Sequence, residues 1–202
     1  MTTFDTVSLE LEPRAQDLLF REARTANSFT GEPVTDGQLR AIYDLLRWAP
    51  TSANTQPLRI VAIRGEDAKA RLLPLLDERN RAKTESAPIT LLLAADRQFD
   101  EHLPRLMPYA PEAREMFADP QLRAMAADYN ATLQAAYTIL AVRAAGLAAG
   151  PMLGFDHAGV DAEFFPDGRH HAVLVMNVGK PGPGAWYDRL PRLEYDEVVS
   201  VL

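Results

Sequence analysis

Apolar side chains recur every three or four positions in the longest regular stretch of the chain, from 122 to 145. The stretch is rich in alanine and contains neither glycine nor proline before Gly146, and its apolar positions are Leu122, Met125, Ala126, Tyr129, Leu133, Ala136, Tyr137, Leu140 and Ala144. This spacing is typical of an α-helix with a broad apolar face. Such a helix would be about 36 Å long, and Gly146 fits a C-terminal stop. We therefore expect a central helix that crosses the domain.

Shorter periodic segments predict the remaining elements. Helices are expected at 15–24, 37–48, 66–80 (kinked at Pro74) and 157–165, and strands at 58–64, 88–95 and 171–178. Residues 150–155 (GPMLGF) are expected to form an apolar loop, and 194–202 a short helix or strand. Helices outnumber strands, and the order is not the regular alternation of a doubly wound sheet. The pattern favours one mixed domain over 1–202.

Two segments fall outside this periodicity. Residues 1–13 are predicted to be an N-terminal tail that ends at Pro13. Residues 100–120 carry four prolines between apolar residues, so we expect an irregular excursion with a helical turn near 111–118. Long loops in compact domains are often lids or binding loops, and a lid-like role is expected for this excursion.

Composition narrows the class of protein. Hydrophobic residues make up 47% and charged residues 24% of the chain, as in an ordinary globular protein. The net charge of −7 argues against nucleic acid as a partner. The chain has no cysteine, which excludes disulfides and thiolate sites. No apolar run is long enough for a membrane span, and the N-terminus does not resemble a signal peptide. We expect a cytoplasmic protein that binds no membrane.

Several familiar chemistries lack their sequence signals. The four histidines form no H-x-x-x-H or H-E-x-x-H pattern, so no metal site is expected. The chain contains no G-x-S-x-G, G-x-G-x-x-G or P-loop sequence. The carboxylate pairs Asp96/Asp100 and Glu163/Asp167 lie on polar segments, and we expect them to be solvated surface residues.

Four segments together offer what a flat, phosphorylated ligand needs. Residues 50–57 form a polar loop stiffened by a proline at each end. Arg21 and Arg24 lie at a helix end, the Gly/Pro-rich segment 180–192 carries further cations, and the loop 150–155 is apolar. Guanidinium groups bind phosphate, whereas amides and an apolar surface suit a ring with polar edges. Each signal is weak when it is taken alone.

The chain resembles the FMN-dependent nitroreductase family over nearly its full length. The resemblance rests on ARTANSF (23–29), RWAPTSANTQPLRIV (47–61), the stretch from Asn130 to Asp156, and YDRLPRL (187–193). Within the family the chain is similar to the malonic semialdehyde reductases of uracil catabolism. The resemblance implies an α+β fold with a central, mostly antiparallel sheet flanked by helices. It also implies a homodimer formed through the long central helices, with two FMN sites at the subunit interface.

The resemblance also implies which residues bind the cofactor. The implied set is Arg24, Thr25, Ser28, Ser52, Asn54, Gln56, Pro151, Met152, Gly154, Lys180 and Arg189. Arg24 and Arg189 would hold the FMN phosphate with help from Lys180, whereas Ser28 stands where many members carry a second cation. Ser52, Asn54 and Gln56 would reach the flavin from the other subunit, and 151–154 would line the ring. Asn130 and Gln134 would be contacts at its edge.

The implied chemistry is a ping-pong hydride transfer from NADH or NADPH through FMN. No side chain is implied as catalytic, and the proton donor is left open between water and a ribityl hydroxyl of the flavin. The favoured reaction is reduction of malonic semialdehyde to 3-hydroxypropanoate, with Arg105 or Arg114 binding the substrate carboxylate. The alternatives are a general nitroaromatic or quinone reductase and a flavin-storage protein without turnover.

Overall fold

A computed structural model of the chain describes residues 9–202. Residues 1–8, most of the predicted tail, lie outside the described part. The helices are α1 (Pro13–Gln16), α2 (Asp36–Leu46), α3 (Glu66–Leu72), α4 (Glu78–Ser86), α5 (Leu103–Leu106), α6 (Pro120–Ala144), α7 (His157–Phe164) and α8 (Tyr195–Val198). The strands are β1 (Leu58–Ile63), β2 (Ile89–Asp96), β3 (Ala148–Met152) and β4 (His170–Gly179). A π-helical turn at Asp17–Arg21 follows α1, and 3-10 turns lie at Ser52–Asn54, Leu73–Leu75, Phe99–His102 and Pro111–Phe117.

The four strands form one antiparallel sheet in the order β1-β2-β4-β3. Every residue of β2 is buried. Leu91 and Leu93 pack in an apolar cluster with α2 and α6, whereas Leu92 and Ala94 pack in another with α3 and α7. Because successive strand residues point to opposite faces, helices cover both faces of the sheet. The expected α+β fold, an antiparallel sheet flanked by helices, is confirmed.

Helix α6 confirms the predicted central helix, but its large apolar side chains face outward. Its buried face consists mainly of small and polar residues: Ala127, Asn130, Ala131, Gln134, Ala135, Thr138, Ala141 and Val142. On the opposite side, Leu122, Met125, Tyr129, Leu133 and Tyr137 are between 39% and 67% exposed. Small residues let the helix lie close to the sheet, so the apolar periodicity marked the exposed face and not the core face.

The prediction of a loop at 150–155 is wrong for the first half of the segment. Its first three residues belong to β3, where Gly150 pairs with Asn177 of β4. A side chain at Gly150 would lie 2.8 Å from the carbonyl oxygen of Ala26, so glycine lets another segment approach this edge. Pro151 is tolerated because β3 is an edge strand of the sheet.

Two predicted helices also differ from the structure. The segment 66–80 is α3 followed by a 3-10 turn at Pro74, and the next helix is α4, which the sequence analysis missed. The segment 15–24 contains only α1 and the π-helical turn. The predictions for α2, α7, β1, β2 and β4 are confirmed, with small shifts at their ends. The excursion 100–120 contains the expected helical turn at Pro111–Phe117.

Candidate functional site

The segment 24–30 runs between the free edge of β3 and the chain after β4. Ala26 N–H donates to the carbonyl oxygen of Ala149 at 3.1 Å, and Thr30 N–H donates to that of Lys180 at 2.9 Å. The Ser28 hydroxyl donates to the carbonyl oxygen of Pro183 at 2.7 Å. The first arginine segment, the glycine-rich strand and the late basic segment therefore meet at one edge of the sheet.

Arg24 and Arg189 line one surface cavity of about 180 Å³, together with Thr25 and Arg192. Arg24 Nη1 donates to the carbonyl oxygen of Tyr187 at 3.3 Å, and Arg189 Nη2 donates to backbone carbonyls of the facing segment. Within residues 9–202, neither guanidinium forms an ion pair with a carboxylate. A pair of arginines fixed by backbone oxygens and left with uncompensated charge is suited to bind a phosphate.

Lys180 and Ser28, unlike these arginines, bind backbone carbonyls outside the arginine cavity. Lys180 Nζ donates to the carbonyl oxygen of Gly146 at 3.1 Å, beyond the C-terminus of α6, and does not line the arginine cavity. A cation at this position satisfies a carbonyl at the negative end of a helix. The Ser28 hydroxyl holds the loop after β4. The structure thus brings Arg24, Thr25 and Arg189 together and gives Lys180 and Ser28 bonds within the fold.

The predicted ring-lining residues lie against α4. Asn80 Nδ2 donates to the carbonyl oxygen of Gly154 at 2.8 Å, and Thr84 Oγ1 lies 3.9 Å from Met152 Sδ. A side chain at Gly154 would lie 2.7 Å from Asn80 Nδ2, so the contact requires glycine. Lys83 is on the same helix, and burial together with the charge of Arg79 lowers the pKa of its ammonium group.

Sequence reasoning missed α4, because its polar sequence ERNRAKTES carries no apolar stripe. The signal that would have helped is that Lys83 and Thr84 lie three and four positions after Asn80. Residues at that spacing lie on one side of a helix.

The loop 50–57 is strained. Ala53, Asn54 and Gln56 have φ angles of 50°, 47° and 43°. Among residues 9–202 they are the only residues other than glycine with positive φ. Such conformations cost about 1–3 kcal/mol each and cluster at functional sites. Local bonds hold the loop in this form, for example from Gln56 Nε2 to Asn54 Oδ1 at 2.7 Å.

The buried amides of α6 support this loop from below. Asn130 Oδ1 accepts from Ser52 N–H at 2.7 Å, and Gln134 Oε1 accepts from Leu58 N–H at 3.0 Å. Asn54 Nδ2 donates to the carbonyl oxygen of Leu106 in the excursion at 2.9 Å. Asn130 and Gln134, predicted as contacts at the flavin edge, are therefore the side chains that position the loop.

The two halves of the predicted site lie at opposite edges of the sheet. The loop 50–57 leads into β1, whereas the arginine cavity and residues 151–154 lie along β3. Three strand spacings of roughly 4.8 Å separate these edges, or about 14 Å.

The two predicted substrate arginines have different surroundings. Arg105 lines a cavity of about 470 Å³ beside Gln56 and Gln134. Arg105 has no ion pair or hydrogen bond within the described part of the chain. Arg114 Nε donates to Asp100 Oδ2 at 2.9 Å and does not line that cavity. Arg105 is therefore free to bind a ligand, whereas Arg114 is paired.

The prediction that Asp96 and Asp100 are solvated is wrong. Asp96 is fully buried, and its carboxylate accepts from Arg169 Nε and Arg59 Nη2, both at 2.8 Å. Burial opposes ionisation of Asp96, but the hydrogen bond from Arg169, the Gln98 N–H and the charge of Arg59 outweigh it and lower the pKa of Asp96. The pairing raises the pKa of Arg169. The partners lie far away in the sequence, so local polarity did not indicate burial.

No group of histidine, aspartate and glutamate side chains suited to a metal ion occurs in residues 9–202. His171 Nδ1 instead lies 2.7 Å from Asp161 Oδ2 and the imidazole stacks on His157. In the described part of the chain, no helix is long and apolar enough to cross a membrane.

Comparisons with known proteins identify relatives of the chain. A model described as "Nitroreductase family" matches residues 20–180. A Streptomyces griseus protein named "Putative NADH dehydrogenase/NAD(P)H nitroreductase" is 53% identical over 197 residues, covering 97% of this chain and all of the relative. A Streptomyces coelicolor protein of the same type is 54% identical with the same coverage.

Solved structures share the fold. The crystal structure of a "putative nitroreductase in complex with FMN" from Exiguobacterium sibiricum has a TM-score of 0.83 at 19% identity, covering 96% of this chain and all of that one. A nitroreductase structure from Bacillus subtilis has a TM-score of 0.80 at 24% identity, covering 91% of this chain and 97% of that one. At these identities the structures support the fold alone. Together with the sequence matches, they lead to one conclusion: the chain belongs to the nitroreductase family.

Proposed function

We propose that this protein is an FMN-dependent NAD(P)H oxidoreductase that works as a homodimer with FMN at the subunit interface. The relatives above are named as NADH dehydrogenase or NAD(P)H nitroreductase, and one structural neighbour was solved with FMN. The observation that carries the proposal is the separation of the site into two halves at opposite edges of the sheet. A second copy of the chain can bring its loop 50–57 to the arginine cavity of the first.

The residues at the β3 edge fit FMN. Arg24 and Arg189 offer guanidinium N–H groups to the phosphate, with the Thr25 hydroxyl beside them. The residues 151–154 provide a close backbone surface for the ring. When bound there, FMN would supply hydride transfer from NADH or NADPH to the substrate. The chain supplies binding and orientation, and no side chain is assigned a covalent role.

Lys83 is the cation that we assign to the pyrimidine edge of the flavin. It lies one turn beyond Asn80, which is bonded to Gly154. A fixed cation at this position would stabilise negative charge that develops at that edge of a bound flavin. Partial burial lowers the pKa of Lys83 from its ordinary value but strengthens the interaction of its charge with a nearby anion.

The dimer is proposed from the exposed apolar side of α6. The residues Met125, Tyr129, Leu133 and Tyr137 form a continuous stripe at helix spacing. Trp48 and Tyr43, at the end of α2, are also exposed. An exposed apolar patch of this extent is typical of a protein–protein interface.

We further propose one domain over 1–202 and a cytoplasmic location.

The favoured substrate is malonic semialdehyde, which is reduced to 3-hydroxypropanoate. Among the described residues Arg105 has no hydrogen-bond or ion-pair partner. It lies in a large cavity bordered by the excursion 100–120, which we assign as a lid-like wall of the pocket. A guanidinium group suits the substrate carboxylate. A broad nitroaromatic or quinone reductase is the second candidate, because the relatives carry the nitroreductase name and the apolar Leu106 lines the same cavity.

An anaerobic absorption trace distinguishes these functions. The FMN-loaded protein is reduced with NADPH or NADH and then mixed with malonic semialdehyde. Rapid return of the absorbance of oxidised flavin supports the aldehyde reductase. Return only with a nitroaromatic or quinone favours the second candidate. Flavin that NAD(P)H does not reduce would point to storage, and a protein that takes up no FMN would refute the proposal.

A further inference from the structure

The cavity beside the loop 50–57 lies at the β1 edge and is separate from the arginine cavity at the β3 edge. Its walls come from α2, the start of β1 and the excursion, and its floor is part of α6. At about 470 Å³ it is within the range of about 300–1,000 Å³ of small-molecule pockets. Gln56, which lines it, belongs to the strained loop. A ligand in this cavity would therefore contact the loop that we place against the partner subunit's flavin.

Three arginines, Arg47, Arg59 and Arg105, line this cavity together with His102, and no carboxylate among residues 9–202 lines it. This is unusual in a chain with 28 acidic and 21 basic residues. Asp96, 3.9 Å from His102 Nε2, is fully buried and paired with Arg59 and Arg169. Its charge is compensated away from the cavity, so the cavity favours an anion.

Two donors in the cavity have no acceptor. Arg105 makes no hydrogen bond or ion pair within residues 9–202. Gln134 is 5% exposed, and its Oε1 accepts from Leu58 N–H, but its Nε2 makes no hydrogen bond in the same range. The amide N–H of Gln134 at the floor and the unpaired guanidinium of Arg105 at the wall are therefore both open to an oxygen-rich ligand.

The guanidinium of Arg59, at the cavity wall, is fixed by three hydrogen bonds. Its Nη1 donates to the carbonyl oxygens of Gln56 at 3.0 Å and Leu58 at 2.9 Å, and its Nη2 binds Asp96 at 2.8 Å. These bonds fix the guanidinium at the cavity wall. Asp96 compensates the charge of Arg59, so Arg59 forms a fixed part of the wall and the unpaired Arg105 offers its charge to an anion.

We propose that this cavity binds the anionic oxygens of a small organic ligand, with Arg105 and Gln134 as direct donors and Arg59 as a fixed part of its wall. This inference rests on the proposed function, because it gives the acid end of the substrate its own subsite. A short carboxylate and a phosphate of the nicotinamide donor carry the same chemistry. The carboxylate is the favoured source, and the phosphate is the other arm of the test.

The test is calorimetric titration of the FMN-loaded dimer with two probes, malonate and adenosine 2′,5′-bisphosphate. Arg105→Gln removes the free cation, and Arg40→Gln, an exposed residue of α2 outside the cavity, is the matched control. Malonate should bind the wild type and Arg40→Gln equally and bind Arg105→Gln about tenfold or more weakly. The same pattern with the bisphosphate alone would support the site and assign it to the nucleotide. Equal affinities in both variants, or no binding of either probe, would overturn the site.

A kinetic control separates this inference from the proposed function. Reduction of a quinone by each FMN-loaded variant reports the flavin chemistry without a carboxylate. If the protein reduces neither quinone nor aldehyde but malonate binding still depends on Arg105, the function fails and the anion site stands. If malonic semialdehyde is reduced with the same KM in wild type and Arg105→Gln, the function stands and the anion site fails.

Discussion

Arginines at two places in this molecule have opposite surroundings. Arg59 and Arg169 enclose the buried carboxylate of Asp96 near the β1 edge. Arg24 and Arg189 at the β3 edge meet backbone carbonyls, and neither forms an ion pair within residues 9–202. The partner of an arginine, more than its exposure, therefore distinguishes a structural cation from one that is available to a ligand.

The largest effect is expected from Asp96→Asn. The substitution leaves Arg59 and Arg169 without their buried counter-charge, and breaking a buried ion pair costs about 3–5 kcal/mol. Urea unfolding at neutral pH should show this loss of stability. Asp36→Asn is the control, because the Asp36 carboxylate binds Arg64 at the surface and such a pair contributes at most about 1 kcal/mol. Similar losses in both variants would contradict the assignment.

The second effect is on FMN binding at the β3 edge. Arg24→Ala and Arg189→Ala should each weaken FMN binding by about 2 kcal/mol, or roughly 30-fold, because each removes a charge-assisted contact. Fluorescence quenching of FMN by the apoprotein measures the dissociation constant. Lys180→Ala should change it much less, since Lys180 is bonded to the carbonyl of Gly146. Unchanged FMN retention in both arginine variants would refute the phosphate site.

A smaller effect separates the two substrate arginines. Arg105→Ala should raise the KM for malonic semialdehyde about tenfold and leave the stability nearly unchanged. Arg114→Ala should leave the KM nearly unchanged and lower the stability, because Arg114 is paired with the buried Asp100. Steady-state kinetics and urea unfolding on both variants provide the comparison. If neither variant alters the KM, the carboxylate subsite is wrong.

The sequence predicted the long periodic elements well because their signals are local. The spacing in α6 and the apolar run of β2 needed no knowledge of distant residues. The strand β3 was missed because AAGPM lacks β-branched residues, and its partners are β4 and the segment 24–30. Asp96 was misjudged for the same reason, since Arg169 lies 73 positions away in the sequence.

The candidate site was predictable only in part. The resemblance supplied Arg24 and Arg189, and the structure brings them to one cavity. It could not distinguish Lys180, which binds the end of α6, from the arginines, because all three are cations in basic segments. Nor did the polar sequence of α4 indicate that Asn80 lies beside Gly154. Those assignments depend on which carbonyls and carboxylates lie nearby in space.

The smallest expected effect is the pH dependence of the Asp96 pairing. The native pKa of Asp96 is lower than its ordinary value because hydrogen bonds and charge from Arg169 and Arg59 outweigh burial. As the pH falls, the unfolded chain therefore binds this proton first, near a pKa of about 3.9, and the native state binds it later. The stabilisation is complete above that pH and is lost as the pH falls through the native pKa.

The gap in unfolding free energy between wild type and Asp96→Asn should therefore stay constant from neutral pH down to about pH 5 and narrow below about pH 4. Urea titrations at a series of pH values measure it. The charged and titratable groups that face the carboxylate are Arg59, Arg169 and His102, and Glu101 shares Arg169. A gap that does not narrow below about pH 4 would contradict the ion pairs of Asp96 with Arg59 and Arg169 as the cause of the lost stability.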